Sequence, residues 1–402
     1  MSTKEGSVLL IKNATALLPD ETLALCDIRI RNGCIAEVGP SLKPLPVRSG
    51  EERESLVDAA GRYVLPGLID LHTHGIRTVN LQTGTLLEYA QIEAAYGATT
   101  FYPTLFDTPA AIAEQMRRHR AETDELRRVP QVGGFRLESP YLARTGAGLA
   151  KDLGRITPQT TSMLLEAGGG LIKIWDVSPE LEGAPEAIAG LSQKGVVCSL
   201  AHTRATIEQG RAAVDAGARL VTHLFDVFWP PEDTGTGVYP PALVDYLLVE
   251  DRVVCEIIGD GTHVPEILVE KAFRCKPPTG LVFVTDSNFG AGLPPGQYEA
   301  GGSWGRVQID GPNNGVRMVD RGMGLAGSAL TPIDAFRNAV RLFHKSIAVA
   351  SRVTSRNPAR LMGLNKGEIA PGRDADLIVL DQNLELYTTI VAGQVVYQKK
   401  AE

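Results

Sequence analysis

Residues 63–75 read YVLPGLIDLHTHG, an apolar run that closes on two histidines one residue apart and a glycine. The whole chain has only seven histidines. On an extended strand side chains alternate faces with a period of two, so His72 and His74 share a face with Leu68 and Asp70, and two imidazoles one repeat apart can reach a common ion. Ile69, Leu71 and Thr73 then meet whatever packs behind. What the pair is for depends on what else arrives beside it.

Seven further stretches have the same strand-like character: TTFYPTL (99–105), VGGFRLESP (132–140), GLIKIWD (170–176), GVVCSLAHT (195–203), RLVTHLF (219–225), VVCEIIGDGTHV (253–264) and LVFVTDSN (281–288). Helical stretches such as TIEQGRAAVDAGA (206–218) and PEILVEKAFR (265–274) fall between them. Eight strands alternating with helices predict a closed, TIM-like (β/α)₈ barrel. The flanks differ. SVLLIKNATALLP, CDIRIRNGCIAEVGP and SLVDAAGRYVLPG near the start, and KGEIAPGRDADLIVLDQN and LYTTIVAGQVVYQ near the end, are short β-rich runs broken by turn residues. They predict a small β-sandwich domain built from residues 1–62 and 366–402 beside a barrel of 63–365.

Length and composition bound the rest. With 402 residues, 44% hydrophobic and 22% charged, the chain has ample core for a large soluble domain. A net charge of −7 offers no basic stripe for a nucleic-acid partner. No apolar run approaches the ~20 residues of a membrane span, and MSTKEGSVLLIKN does not read as a signal peptide. Cysteines 26, 34, 198, 255 and 275 are odd in number with no CxxC spacing, which suits core or neutral positions in a reduced, cytoplasmic protein.

Barrel active sites lie at the C-terminal ends of the strands, and the reactive side chains concentrate there. Glu138 ends the third strand two residues after Arg136. His202 ends the fifth, His223 the sixth, Asp260 and His263 the seventh, and Asp286 the eighth. Only His119 and His344 fall elsewhere, on helices. Imidazoles and carboxylates converging from different strands suit one or two divalent ions, Zn²⁺ or Fe²⁺. Such an ion lowers the pKa of a bound water from 15.7 toward ~7. Asp286 is then the expected general base and acid, and His263 an expected donor to the oxygen of an attacked carbonyl.

The motifs VLPGLIDLHTHG, GGFRLESPYLA, SLAHTRAT, VTHLFD, GDGTHV, VTDSNFGAGLPPGQY and AGSALTPIDAFRN resemble the amidohydrolase superfamily. Their order is most similar to the N-acetylglucosamine-6-phosphate deacetylases. The resemblance implies that Glu138, His202 and His223 are the principal metal ligands and that His72 and His74 support a second ion. It also matches Asp286 to the catalytic acid/base and His263 to the residue holding the substrate carbonyl. It implies a small-molecule substrate, loss of an N-acyl group from an amino sugar or related amine, and a homodimer.

Several positions depart from that pattern. Arg136 stands where the family carries histidine, Gly148 where it has a sugar-contacting histidine, and Asp226 where it has asparagine near the phosphate. WPPEDTGTGVYPP (229–241) lacks the family's phosphate-binding arginine. Losing an arginine fork and gaining a carboxylate makes a phosphate dianion harder to hold, so the substrate is expected to differ. Arg136, Asp226, His263 and Lys173 are the expected substrate-binding residues. Lys173 on the fourth strand also raises the alternative of a carbamylated lysine, as in cyclic-amide hydrolases. A nucleobase-type deaminase and a catalytically silent binding relative are further alternatives. Trp175, Phe228 and Trp229 are candidates for a sugar-stacking wall, and GAGLPPG (290–296) for a loop over the site.

Overall fold

The computed structural model describes residues 8–45, 54–122, 131–146, 153, 155–229, 237, 240–301 and 304–400. Gly148 and most of the 230–239 segment, which lacks the expected arginine, lie outside these residues.

Eight parallel strands form the central sheet, in sequential order: Leu68–Thr73, Ala98–Leu105, Phe135–Leu137, Ile172–Val177, Val197–Leu200, Leu220–Val221, Val254–Ile258 and Leu281–Val284. The first and last are joined by the Asp286 N–H, which donates to the His72 carbonyl at 2.9 Å, and by a parallel bridge between Thr73 and Ser287. All eight predicted strands are present, and the sheet curls into a nearly closed (β/α)₈ barrel. Alternation along the strands sends Phe101, Leu105, Phe135, Leu137, Trp175, Leu200 and Phe283 into one large buried cluster shared with the surrounding helices. Each such side chain, once buried, contributes roughly 1.5–3 kcal/mol.

The helices have local reasons to begin and end where they do. Ile207–Ala216 opens with a reciprocal capping box: Thr206 Oγ1 accepts from the Gln209 N–H while Gln209 Oε1 accepts from the Thr206 N–H. That pairing satisfies two backbone donors which the helix cannot. His119 sits on the helix Pro109–Ala121, as expected. His344 does not lie on a helix: it follows the end of Pro332–Arg341 in a left-handed turn with φ +52°.

Both chain ends contribute to a second, eight-stranded sheet. Val8–Leu17, Leu23–Arg31, Cys34–Gly39, Ser55–Asp58 and Tyr63–Pro66 come from the start, and Leu377–Leu380, Leu386–Val391 and Gln394–Gln398 from the end. Val8–Leu17 pairs with Leu23–Arg31 on one side. On the other it pairs first with Ser55–Asp58 and then with Tyr63–Pro66, so the sheet forks. Ile11, Ile28, Ile30, Val64, Leu377, Val379 and Ile390 fill its own core. Asn32–Gly33 (φ +51° and +80°) closes the hairpin between Arg31 and Cys34. Two consecutive positive φ values give the turn whose twist matches the flanking strands, and Asn-Gly tolerates them best.

One element was not foreseen. The loop expected at 290–296 leads into a four-stranded antiparallel sheet: Gly296–Glu299, Arg306–Ile309, Val316–Met318 and Gly324–Leu325. Trp304, Val307, Ile309, Val316 and Met318 pack with Phe106 and Phe289 beneath it. It stands at the C-terminal end of the barrel, over the residues of interest. Among the described residues no helix is long and apolar enough to cross a membrane.

Candidate metal centre

Glu138 is the hub of the site, and its two carboxylate oxygens serve different partners. Oε2 lies 3.0 Å from His74 Nε2 and 3.5 Å from His72 Nε2. Oε1 lies 2.9 Å from His202 Nε2 and 3.3 Å from His223 Nε2. His72, His74 and Glu138 thus make one set of mutually close ligand atoms, and Glu138, His202 and His223 a second. Asp286 adjoins the first set, with Oδ1 3.2 Å from His72 Nε2 and 3.3 Å from His74 Nε2. All six side chains are buried.

The backbone that delivers them is not relaxed. His202, His223 and Asp286 each lie two residues beyond a strand end and have φ of +47°, +26° and +47°. A non-glycine residue in that region costs of order 1–3 kcal/mol, and such strain gathers at functional sites.

Tautomer logic shows that the cluster needs a cation. The Nδ1 of His223 faces the Asp226 carbonyl at 3.3 Å, and that of His74 faces the Thr104 carbonyl at 3.1 Å. A carbonyl only accepts, so each Nδ1 carries the hydrogen and each neutral ring turns a bare Nε2 lone pair on Glu138. Two acceptors about 3 Å apart repel unless a positive charge lies between them. With protons alone the cluster supplies it. Burial and Arg136 push the His72 pKa down, but the Asp286 and Glu138 carboxylates outweigh them and raise it to about 10. Burial opposes the same rise at His223, where Glu138 and Asp226 lift it to about 9. Against the penalty of burial, His72 and His74 hold Asp286 down at about 2, and the surrounding imidazoles hold Glu138 well below the usual range. Four imidazole nitrogens around a carboxylate with an oxygen for each pair fit one or two divalent ions, which would replace those protons.

A cavity of about 160 Å³ opens onto this cluster. His74, Glu138, His202, His223 and Asp286 form its floor; His263, Asp226 and Trp304 stand in its wall. Asp260 Oδ2 accepts from His263 Nδ1 at 2.7 Å, which fixes the ring. Asp260 and His263, both placed by the sequence after the seventh strand, are thus delivered together.

Two expected substrate-binding residues are elsewhere. Arg136 is fully buried inside the barrel, beneath Glu138, and does not reach the cavity wall. Its guanidinium donates to Glu256 (2.6 and 3.0 Å), Asp176 (3.1 Å), Thr222 Oγ1 (2.9 Å) and the Leu71 carbonyl (3.0 Å). Lys173 is on the opposite face of its strand from Asp176, and its Nζ donates to the Gly170 carbonyl at 3.1 Å. Strand alternation turns it away from the axis, so it takes no part in a carbamylated-lysine centre. Trp175 is also core: it is fully buried and stacked on Tyr141 at 5.3 Å.

Sequence reasoning missed the residues that replace them. Trp304, from the inserted sheet, stacks with Phe106 at 6.4 Å and lies 6.0 Å from the His74 ring. The aromatic wall is therefore Phe106 and Trp304. Glu256, which holds Arg136, also comes within 3.7 Å of His72 Nδ1. Phe106 follows a strand end directly, a position signal that was available; Trp304 had none, because its sheet was not foreseen.

A histidine–carboxylate centre at the C-terminal mouth of a (β/α)₈ barrel, with a sheet made from both chain ends, defines a metal-dependent hydrolase. The chain belongs to the amidohydrolase family, whose profile matches residues 63–396. It is 29% identical over 399 residues to an N-acetylglucosamine-6-phosphate deacetylase of Lysinibacillus sphaericus, covering 96% of this chain and 97% of that one. It is 30% identical over 375 residues to an N-acetylgalactosamine-6-phosphate deacetylase of Escherichia coli O157:H7, covering 91% and 93%. The crystal structure of N-acetyl-D-glucosamine-6-phosphate deacetylase from Mycobacterium smegmatis superimposes with a TM-score of 0.82 at 29% identity, over 97% of this chain and 100% of that one. That of the Thermotoga maritima enzyme gives 0.81 at 26%, over 97% and 100%.

Proposed function

We propose that this hydrolase removes the N-acetyl group from an amino sugar, and that the sugar need not carry a phosphate. The deacetylase relatives support the reaction. The observation that carries it is Glu138 dividing its oxygens between two histidine pairs, with Asp286 beside one of them and His263 across the cavity.

His72, His74, Glu138, His202 and His223 would hold one or two divalent ions, Zn²⁺ or Fe²⁺ by ligand type. Bound there, such an ion supplies acidity to a water and polarises an amide carbonyl. The chain's own groups do the remainder. Asp286, ionised at neutral pH, accepts the proton of the attacking water and returns it to the departing amine nitrogen. With Asp260 accepting from Nδ1, His263 turns Nε2 to the cavity, and its protonated form donates to the carbonyl oxygen as negative charge develops there. Phe106 and Trp304 give the sugar ring a flat apolar wall and thin the water around the reacting carbon.

The distal end of the substrate sets the departure from the relatives. Among the described residues the cavity wall contains no lysine or arginine, and Asp226 places a carboxylate in it. A phosphate dianion finds repulsion there where a sugar hydroxyl finds an acceptor. The five free thiols suit a reducing cytoplasm, and a homodimer completes the reading taken from the family.

The test is acetate release by metal-loaded protein from N-acetylglucosamine, N-acetylgalactosamine and their 6-phosphates. Release from the unphosphorylated sugars is expected. Release confined to the 6-phosphates would remove the claim about the distal group while leaving the reaction, and release from none of the four would remove the reaction too.

A further inference from the structure

A second cavity lies at the opposite end of the barrel, where Pro278 and Thr279 lead into the eighth strand and the Pro19–Glu21 turn of the terminal sheet comes down on it. At about 620 Å³ it is large enough for a metabolite. Residues 347–361 form one helical run along its side, with the middle turn, Arg352–Arg356, wound as a π-turn. Such turns are rare and recur at functional sites.

The charges in this cavity do not cancel. Arg352, Arg356 and Arg360 follow one another at intervals of four on that helical run, and all three line the cavity. Like charges at that spacing repel one another on a helix. Arg373 and Lys366 add to them from the segment that enters the terminal sheet. Two lining carboxylates answer these five cations, and both are shared. Glu21 takes Arg352 and, at 3.3 Å, Arg356; Glu368 takes Arg356 at 2.9 Å and Arg373 at 2.8 Å. Lys366 is matched from behind by Asp376. The Arg360 guanidinium, exposed at the cavity, has no hydrogen bond or ion pair among the described residues. Arg352 and Arg356 are only partly exposed, at 20% and 28%, so water screens them less than it would on an open surface.

We propose that this cavity is a binding site for a compact organic anion, bearing a phosphate or at least two carboxylates, distinct from the catalytic cavity. Guanidiniums are the groups that hold such oxygens bidentately, and here they converge from the barrel and from the terminal sheet. The ligand completes the charge balance that Glu21 and Glu368 leave unfinished, and it ties the sheet to the floor of the barrel.

The test is isothermal titration of the full-length, metal-loaded protein with inorganic phosphate, 3-phosphoglycerate and succinate, alongside Arg360→Gln, Arg373→Gln and, as a control for binding at the metal centre, Asp286→Asn. At least one probe is expected to bind, with a Kd that weakens at least tenfold in R360Q or R373Q and stays within twofold in D286N. 3-Phosphoglycerate against succinate tells a phosphate site from a carboxylate site. Arg360 is exposed and unpaired, so R360Q is expected to fold, which its thermal midpoint checks. No binding of any probe at millimolar concentration overturns the proposal. So does binding that D286N shifts by more than twofold in either direction and the two arginine variants leave unchanged.

Discussion

Arg136 Nη1 donates to Glu256 Oε1 across 2.6 Å in the middle of the barrel, and neither residue has any exposure to solvent. The same guanidinium reaches Asp176, so one cation is shared between two buried carboxylates directly under the residue that anchors the metal-type centre. Removing one partner from such a network leaves the others charged in a low dielectric. Arg136→Met is therefore expected to lower unfolding free energy by about 3–5 kcal/mol. Urea denaturation of the purified variant checks this, and a loss below ~1 kcal/mol would mean that the network is not holding the barrel.

The same pair sets an acid limit. Burial works against ionising Glu256, but Arg136 draws its pKa down to about 2, whereas in the unfolded chain a glutamate titrates near ~4.3. With the folded value depressed, the stabilisation is complete above the unfolded pKa and is lost as pH falls from about 4 toward 2. Chelator-treated wild type is thus expected to lose more of its urea midpoint between pH 5 and pH 3 than Glu256→Gln does. Parallel curves for the two proteins would contradict this.

The centre was legible because strand periodicity and barrel topology are both coarse rules. Once eight strands are placed, His72, His202, His223 and Asp286 must arrive at one end, whatever the details of packing. Arg136 was misplaced for a reason of the same kind. Its neighbour in sequence, Glu138, stands at the mouth, but two residues earlier on a strand is some 7 Å deeper into the barrel. At that depth an arginine meets Asp176 and Glu256 and no substrate. Lys173 failed on strand parity, being of opposite parity to Asp176. Trp304 was out of reach because its short strands are separated by glycines and carry no long hydrophobic period; the sheet is held by long-range contacts with Phe106 and Phe289.

Glu138 offers the sharpest test of the metal assignment, since both histidine pairs depend on it. Glu138→Ala is expected to weaken metal binding by more than the roughly 10–100-fold typical of losing an outer-shell partner. Elemental analysis after dialysis reads this directly. Exhaustive chelation of the wild type is expected to abolish acetate release, with recovery on adding Zn²⁺ or Fe²⁺. Full activity in chelated protein would refute a metal-dependent reaction.

Asp286 approaches the same cluster, but through a single oxygen beside His72 and His74. Asp286→Asn keeps the shape and an acceptor oxygen while removing the ability to carry a proton. Its metal content is expected to stay near that of wild type while kcat falls by roughly 10²–10⁴-fold. A variant that loses metal in step with activity would make Asp286 a ligand first and a base second.

His263 depends on Asp260, and that dependence has a sign. Burial lowers the imidazole pKa, yet the hydrogen bond and charge of Asp260 raise it above the ordinary value. A raised histidine pKa means that the donor proton is present at low pH and lost as pH climbs through the folded value. Asp260→Asn removes the charge that holds it there, so the alkaline limb of kcat/KM is expected to move to lower pH. His263→Gln, which deletes the imidazolium, is expected to lose roughly 10²–10³-fold in kcat. The pH–rate profile of D260N separates this role from a merely structural one: a lower plateau with an unshifted alkaline limb would show that Asp260 only positions the ring, and that the proton on His263 takes no part in the reaction.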